Sequence, residues 1–217
     1  MPTTQEILKK ILDRRLIAVL RLETDRDAMT ITDALLEGGL DIIEVTLTTP
    51  GALEVIERLA GRGDILVGAG TVLDPETARQ TFDSGALFIA SPITDPGTIE
   101  AARLAGRVSM PGAVTPTEIH AAHSAGADLI KLFPMPADGA RTLKTLRSVF
   151  PSLLFAPSGG VSDKTAADLL AAGAAALNVG SWLTHEPDGR VSTTRDISER
   201  ARLIRVAIDN GKWKMEN

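Results

Sequence analysis

Short apolar runs rich in Val, Ile and Leu recur along the chain at 17–21, 41–47, 65–71, 87–92, 107–111, 128–133, 153–158 and 175–180. Their starts lie 20 to 25 residues apart, which leaves room for one helix and two short loops between neighbours. The intervening segments carry the helical period. Residues 25–37 place Ala28, Ile31, Ala34 and Leu35 on one face, and 117–125 and 164–172 are rich in alanine in the same way. Helix starts are marked by Asp74 before Pro75, Thr115 before Pro116 and Ser162 before Asp163. Helix ends are marked by Gly38-Gly39, Gly85, Gly106, Gly126 and Gly173, where a left-handed residue is expected.

Eight strand–helix units predict a parallel sheet covered by helices. Eight units in about 200 residues predict a compact (β/α)8 TIM barrel, an α/β fold. The barrel takes the whole of 1–217 as one domain. An extra N-terminal helix is expected over 1–14 and the last outer helix over 194–210. The rival is an open doubly wound sheet, which would place a glycine-rich nucleotide turn after the first strand. The sequence there is Arg21-Leu22-Glu23-Thr24. In barrels of this kind the chemistry sits at the C-terminal ends of the strands.

Two of the apolar runs contain a charge. Counting by twos, Ile42, Glu44, Thr46 and Thr48 share one face, and Leu129, Lys131 and Phe133 share another. Parallel strands are buried on both sides, so neither charge has an easy exit to water. One reading is a structural Lys131–Glu44 ion pair, although desolvation offsets most of what such a pair contributes. The other is catalysis. An amine kept out of water is partly neutral and attacks ketones, and a nearby carboxylate can shuttle protons.

Glycines follow the last two strands, in Pro157-Ser158-Gly159-Gly160-Val161-Ser162 and in Gly180-Ser181. Loops in these places are the recurrent phosphate site of the barrel fold, although the same glycines would also serve tight turns. Gly68-Ala69-Gly70-Thr71 ends the third strand similarly, with Thr71 expected on the face of Val67 and Ala69. A metal site is poorly supported: His120 and His123 fall in mid-helix on the outer ring, and the remaining histidine is His185.

Composition narrows the field further. The net charge of −5 and the 3% aromatic content argue against a nucleic-acid partner. The chain has no cysteine, which excludes disulfides, thiolate metal sites and a cysteine nucleophile. No apolar stretch approaches the roughly 18 residues of a membrane helix, and the N-terminus has no signal-peptide run. A cytoplasmic protein without a membrane partner is expected.

Glu44-Val45-Thr46-Leu47, the 67–73 run, Ser91-Pro92, Pro111-Gly112, Lys131-Leu132-Phe133-Pro134, Pro157-Ser158-Gly159-Gly160 and Gly180-Ser181 occur in order. With these motifs the chain resembles the KDPG/KHG aldolases, the class I enzymes acting on 2-keto-3-deoxy-6-phosphogluconate and 4-hydroxy-2-oxoglutarate. The resemblance covers about 17–182. It implies a lyase that uses no metal or cofactor, is typically a homotrimer, and handles pyruvate and a phosphorylated keto acid. It implies Lys131 as the Schiff-base lysine and Glu44 as the proton shuttle. Thr71 matches a carboxylate-binding threonine, and Pro92 and Phe133 match the pyruvyl pocket. Gly159, Gly160, Gly180 and Ser181 match a phosphate cradle. Thr48 stands where many members have a carboxylate-binding arginine, and Ser158 replaces the common threonine. Arg21 is the nearest cation by position; members acting on the galactonate-derived substrate carry an arginine there and lack the other. A metal-dependent aldolase or isomerase and a non-catalytic phosphosugar-binding barrel are the rivals of other classes.

Overall fold

The computed structural model describes residues 2–213; Met1 and 214–217, at the ends of the expected first helix and single domain, lie outside the described residues. The strands are β1 Leu16–Leu20, β2 Ile42–Thr46, β3 Leu66–Gly70, β4 Phe88–Ala90, β5 Val108–Met110, β6 Gly112–Ala113, β7 Ile130–Leu132, β8 Phe155–Pro157 and β9 Leu177–Val179. The helices are α1 Thr4–Arg14, α2 Ala28–Glu37, α3 Ala52–Ala60, α4 Pro75–Asp83, α5 Pro96–Leu104, α6 Pro116–Ser124, α7 Gly139–Val149, α8 Asp163–Ala171, α9 Ser181–Thr184 and α10 Thr194–Trp213.

Every ladder is parallel. One sheet runs β5-β4-β3-β2-β1-β9 and a second runs β6-β7-β8. The fifth apolar run of the sequence is split between them. Pro111 has no N–H to give a ladder, so the strand is interrupted there: β5 pairs with β4, and β6 pairs with β7. Backbone bonds carry the curl across both seams. The Leu129 N–H donates to Ser109 O at 3.2 Å and the Lys131 N–H to Pro111 O at 2.8 Å. On the other side the Ala175 N–H donates to Phe155 O at 2.8 Å, and Ser158 bridges to Asn178. The molecule is an α/β fold built on a curled parallel sheet.

Two apolar layers follow from the alternation of strand side chains. The outward set, including Ala18, Ile43, Val45, Val67, Ala69, Ile130 and Leu132, packs against the helices. The inward set, including Ile17, Ile42, Leu66, Phe88, Met110, Leu129, Ala156 and Ala176, forms a separate cluster inside the curl. Helix α1 supplies Ile7 and Ile11 to this inner cluster. Its start is fixed by a capping box in which Thr3 and Glu6 satisfy each other's backbone N–H.

The expected caps form for local reasons. Asp74 accepts from the Thr77 N–H at 2.8 Å, and Thr115 and Glu118 make a second capping box. Gly39, Gly85, Gly106, Gly126 and Gly173 all have positive φ, whereas Gly38 stays right-handed with φ −79°. Helix α2 starts at Ala28, later than the expected 25, and its N-cap Asp27 makes no side-chain hydrogen bond. The short α9 was not anticipated by the periodicity, since four residues carry too little of it.

Candidate functional site

Lys131 lies near the middle of the inward face of β7. Leu129, on the same face, belongs to the inner cluster, while Ile130 and Leu132 pack outward. Its ladder partners are Gly112 on β6 and Ala156 on β8, two small residues that leave space for a long side chain. The lysine is 6% exposed. Its Nζ is 3.5 Å from Glu44 Oε1 and 5.4 Å from the centre of the Phe133 ring.

Glu44 stands on the inward face of β2 and is fully buried. Oε1 faces the lysine, and Oε2 has no hydrogen-bond partner among the described residues. An ionisable pair this dry contributes little net stability, because desolvation opposes the attraction. Its position is instead explained by the neighbouring strand. A Cβ on Gly70 would stand 2.1 Å from Glu44 Oε1, so the carboxylate occupies the volume that any larger residue at position 70 would fill. Gly68 yields to Phe88 in the same manner. These glycines therefore make room for side chains inside the curl, and the sequence alone did not single out Gly70 for this.

The strand ends open into a cavity of about 1010 Å³. Lys131, Arg21, Thr71, Pro92, Phe133, Ser158, Gly159, Gly160, Gly180 and Ser181 all line it. Glu44 is not part of the lining but lies beside Lys131, which is. Thr48 does not line the cavity. β2 ends at Thr46, and Thr48, two residues on, is exposed with its hydroxyl 2.9 Å from that of Thr46, the proximity expected of two residues on one strand face.

Thr71 arrives by a route the alternation did not anticipate. Val67 and Ala69, whose face it was expected to share, point outward to the helices. Thr71 has φ 61°, one of two non-glycine residues with positive φ among those described, and this left-handed step turns it into the cavity. Gly112 has a related role: a Cβ there would meet the backbone of Pro92 at 2.5 Å, so glycine lets the Pro92 loop close over the lysine end.

Three cations line the cavity: Lys131, Arg21 and Arg200. Arg21 makes no ion pair among the described residues and follows β1, whose partner β9 leads into Gly180 and Ser181. Arg200 is bound up with its own chain, as detailed below. The wall formed by Trp182, His185, Glu186, Pro187 and Gly189 was not foreseen, because it depends on how the 185–192 turn packs on α10. His120 and His123 are exposed on α6. Among the described residues no cluster of His, Cys, Asp and Glu is arranged to hold a metal ion, and no helix is long and apolar enough to cross a membrane.

The carboxylate nearest in sequence to Lys131 is the half-buried Asp128. Burial pushes it above the usual carboxylate range, opposed by hydrogen bonds from the Ser109 N–H and hydroxyl. It precedes β7, whereas the cavity opens beyond the other end of the strands, so the acid beside the amine is Glu44.

An amine and an acid buried inside a curled parallel sheet, beside a cavity edged by glycine loops at the strand ends, are the site of an α/β enzyme, and the family it belongs to makes that enzyme a lyase. The family model for KDPG and KHG aldolase matches residues 6–195, and the chain belongs to that family. It is 36% identical over 202 residues to a probable 2-dehydro-3-deoxy-6-phosphogalactonate aldolase of Rhizobium meliloti, covering 91% of this chain and 93% of that one. A 2-dehydro-3-deoxy-phosphogluconate aldolase of Pseudomonas aeruginosa is 33% identical over 199 residues, covering 91% and 89%. Among solved structures, a KDPG aldolase from Legionella pneumophila, with pyruvate captured at low pH as a covalent carbinolamine intermediate, superposes with a TM-score of 0.77. It is 28% identical, covering 95% of this chain and 97% of that one.

Proposed function

We propose that this aldolase cleaves 2-keto-3-deoxy-6-phosphogluconate to pyruvate and glyceraldehyde 3-phosphate through a Schiff base on Lys131. The observation that carries the reading is the buried Lys131 Nζ held 3.5 Å from Glu44 Oε1 at the floor of an open cavity. The carbinolamine captured in the Legionella relative supports the same first step.

Lys131 Nζ attacks the C2 ketone to give a carbinolamine. Glu44, acting directly or through a water, moves the protons that let the C2 hydroxyl leave as water, and an iminium forms. The same acid removes the C4 hydroxyl proton. The C3–C4 bond breaks, the C4 side leaves as the aldehyde, and the bonding electrons pass into the iminium to give an enamine. Protonation at C3 and hydrolysis release pyruvate and return the amine. Covalent attachment divides one hard cleavage into smaller steps, and the strand holds the amine at the ketone.

The cavity residues take roles that follow from their chemistry. Thr71 and Arg21, a hydroxyl and a cation without an ion-pair partner among the described residues, hold the substrate carboxylate, while Pro92 and Phe133 line the pyruvyl pocket. Gly159, Gly160, Gly180 and Ser181 offer backbone N–H groups, and Ser158 and Ser181 hydroxyls, to the phosphate. Thr48 has no role. No metal or cofactor takes part. The curled sheet closes as a (β/α)8 barrel over one domain, 1–217, with α1 as an extra helix sealing its base. The seam bonds of Ala175 and the Ser158–Asn178 bridge support that closure. The enzyme works as a cytoplasmic homotrimer, without nucleic-acid or membrane partners.

Borohydride reduction in the presence of pyruvate should trap the adduct on the wild-type enzyme, and Lys131→Ala should lose both trapping and turnover. Full turnover in Lys131→Ala would refute the mechanism. A second reading, the C4-epimeric 2-keto-3-deoxy-6-phosphogalactonate, is favoured by Arg21 in the cavity with Thr48 outside it, and by the Rhizobium relative. Cleavage rates on both epimers, on 4-hydroxy-2-oxoglutarate and on the unphosphorylated acids decide between them.

A further inference from the structure

Arg200, on α10, touches the cavity, yet both of its terminal nitrogens are already committed. Nη1 lies 3.2 Å from Trp182 O, 2.9 Å from His185 O and 2.8 Å from Ser192 Oγ. Nη2 lies 2.8 Å from Glu186 Oε1, which also accepts from Ser192 Oγ at 2.6 Å. Its charge is balanced by Glu186, with both side chains largely withdrawn from water at 22% and 30% exposure. A guanidinium shared among four protein acceptors holds structure rather than ligand, in contrast to Arg21.

The acceptors lie on one continuous stretch. Trp182 belongs to α9, and His185 follows directly after it. From His185 the chain makes a tight turn, closed by the Glu186 N–H to Arg190 O at 2.8 Å and by the His185–Val191 bridge. Ser192 returns its N–H to Thr184 O at 2.9 Å. The start of α9 is Ser181, directly after Gly180, and Gly180 packs against Val19 of β1. A four-residue helix has too few internal bonds to hold its own orientation. β9 ends at Val179, before Gly180 and Ser181, and the far end of α9 is held by Arg200.

We propose that Arg200 is a positioning residue for the phosphate end of the substrate: it bolts the end of α9 and the 185–192 turn to α10, and so fixes the backbone of Gly180 and Ser181. This rests on the phosphate reading given above. Arginine is required because a planar fork satisfies carbonyls on one side and a carboxylate on the other. A lysine ammonium at the same place would reach only part of the set. Displacements of about 1 Å at a binding group can cost up to about a hundredfold.

The test compares wild type, Arg200→Ala and Arg200→Lys on 2-keto-3-deoxy-6-phosphogluconate and on unphosphorylated 2-keto-3-deoxygluconate, with inorganic phosphate as a competitive probe. We expect the ratio of kcat/KM between the two substrates to fall roughly tenfold in Arg200→Ala and by less in Arg200→Lys. The loss should appear in KM for the phosphorylated acid and in a raised inhibition constant for phosphate, more than in kcat. An unchanged substrate ratio and phosphate inhibition in either variant would overturn the proposal. If Arg200→Ala does not fold, Arg200→Lys alone carries the same comparison. A wild type that cleaves both acids equally would instead remove the phosphate reading itself.

Discussion

Glu44 owes its place to a side chain that is missing. Gly70 leaves the volume into which the carboxylate extends, and one added carbon there would stand 2.1 Å from Oε1 and 2.8 Å from the carboxyl carbon. Gly70→Ala should therefore displace the acid without altering it. The expected result is a kcat lowered by at least roughly tenfold with folded circular dichroism, since acid–base groups lose their effect when moved out of reach. Glu44→Gln keeps the shape and removes the base, and should slow turnover by about two to four orders of magnitude. Measured together, the two variants separate where the acid is from what it is. A Gly70→Ala enzyme with full activity would show that Glu44 has room to move. At this scale the sequence was readable wherever a charge stood inside an apolar run, as Lys131 and Glu44 do. It was unreadable at Gly70, because the reason for that glycine lies on another strand.

Elements were legible for the opposite reason: their signals are local. Proline after a Thr or Asp cap, and glycine after the last helical turn, act within a few residues, and Asp74, Thr115, Gly85 and Gly173 behave as their chemistry dictates. The α6 cap also makes a pH prediction. Glu118 accepts from the N–H groups of Thr115 at 2.8 Å and Val114 at 3.0 Å and from the Thr115 hydroxyl, which hold its carboxyl below the usual range. A carboxyl lowered by folding stabilises the protein at pH above its unfolded value, and the effect is lost as pH falls through the folded value. Glu118→Ala should lower Tm by about 2 °C at pH 7. The difference should narrow as pH falls below about 4.3, the ordinary glutamate value, and close only once the folded carboxyl, held lower, is protonated. A gap of constant size across thermal scans from pH 3 to 8 would argue against an ionised cap. In two departures from expectation a single residue was responsible. Pro111 broke a strand by lacking a donor, and the left-handed Thr71 left the alternation to enter the cavity.

For the whole molecule, the cavity gathers residues from β1, the loops after β3 and β4, β7, and the loops after β8 and β9, closed on one side by α10. No sequence window contains more than a part of it. The homotrimer proposed above is also a statement at this scale. Light scattering on the purified enzyme should give the mass of three chains at working concentrations; a monomer with full activity would show that the site needs no neighbour.

The sequence by itself determined the alternation of strands and helices, the caps that bound them, and the two charges that had to be buried if those runs were strands. These follow from propensities and periodicities that act over a few residues. Tertiary structure alone decided that the two charges face each other, that Thr71 turns into the cavity, and that Arg200 braces the far wall of the cavity. Each of these depends on contacts between residues remote in the chain, such as Lys131 with Glu44, and on volumes that neighbouring strands leave open, which no local pattern of side chains encodes.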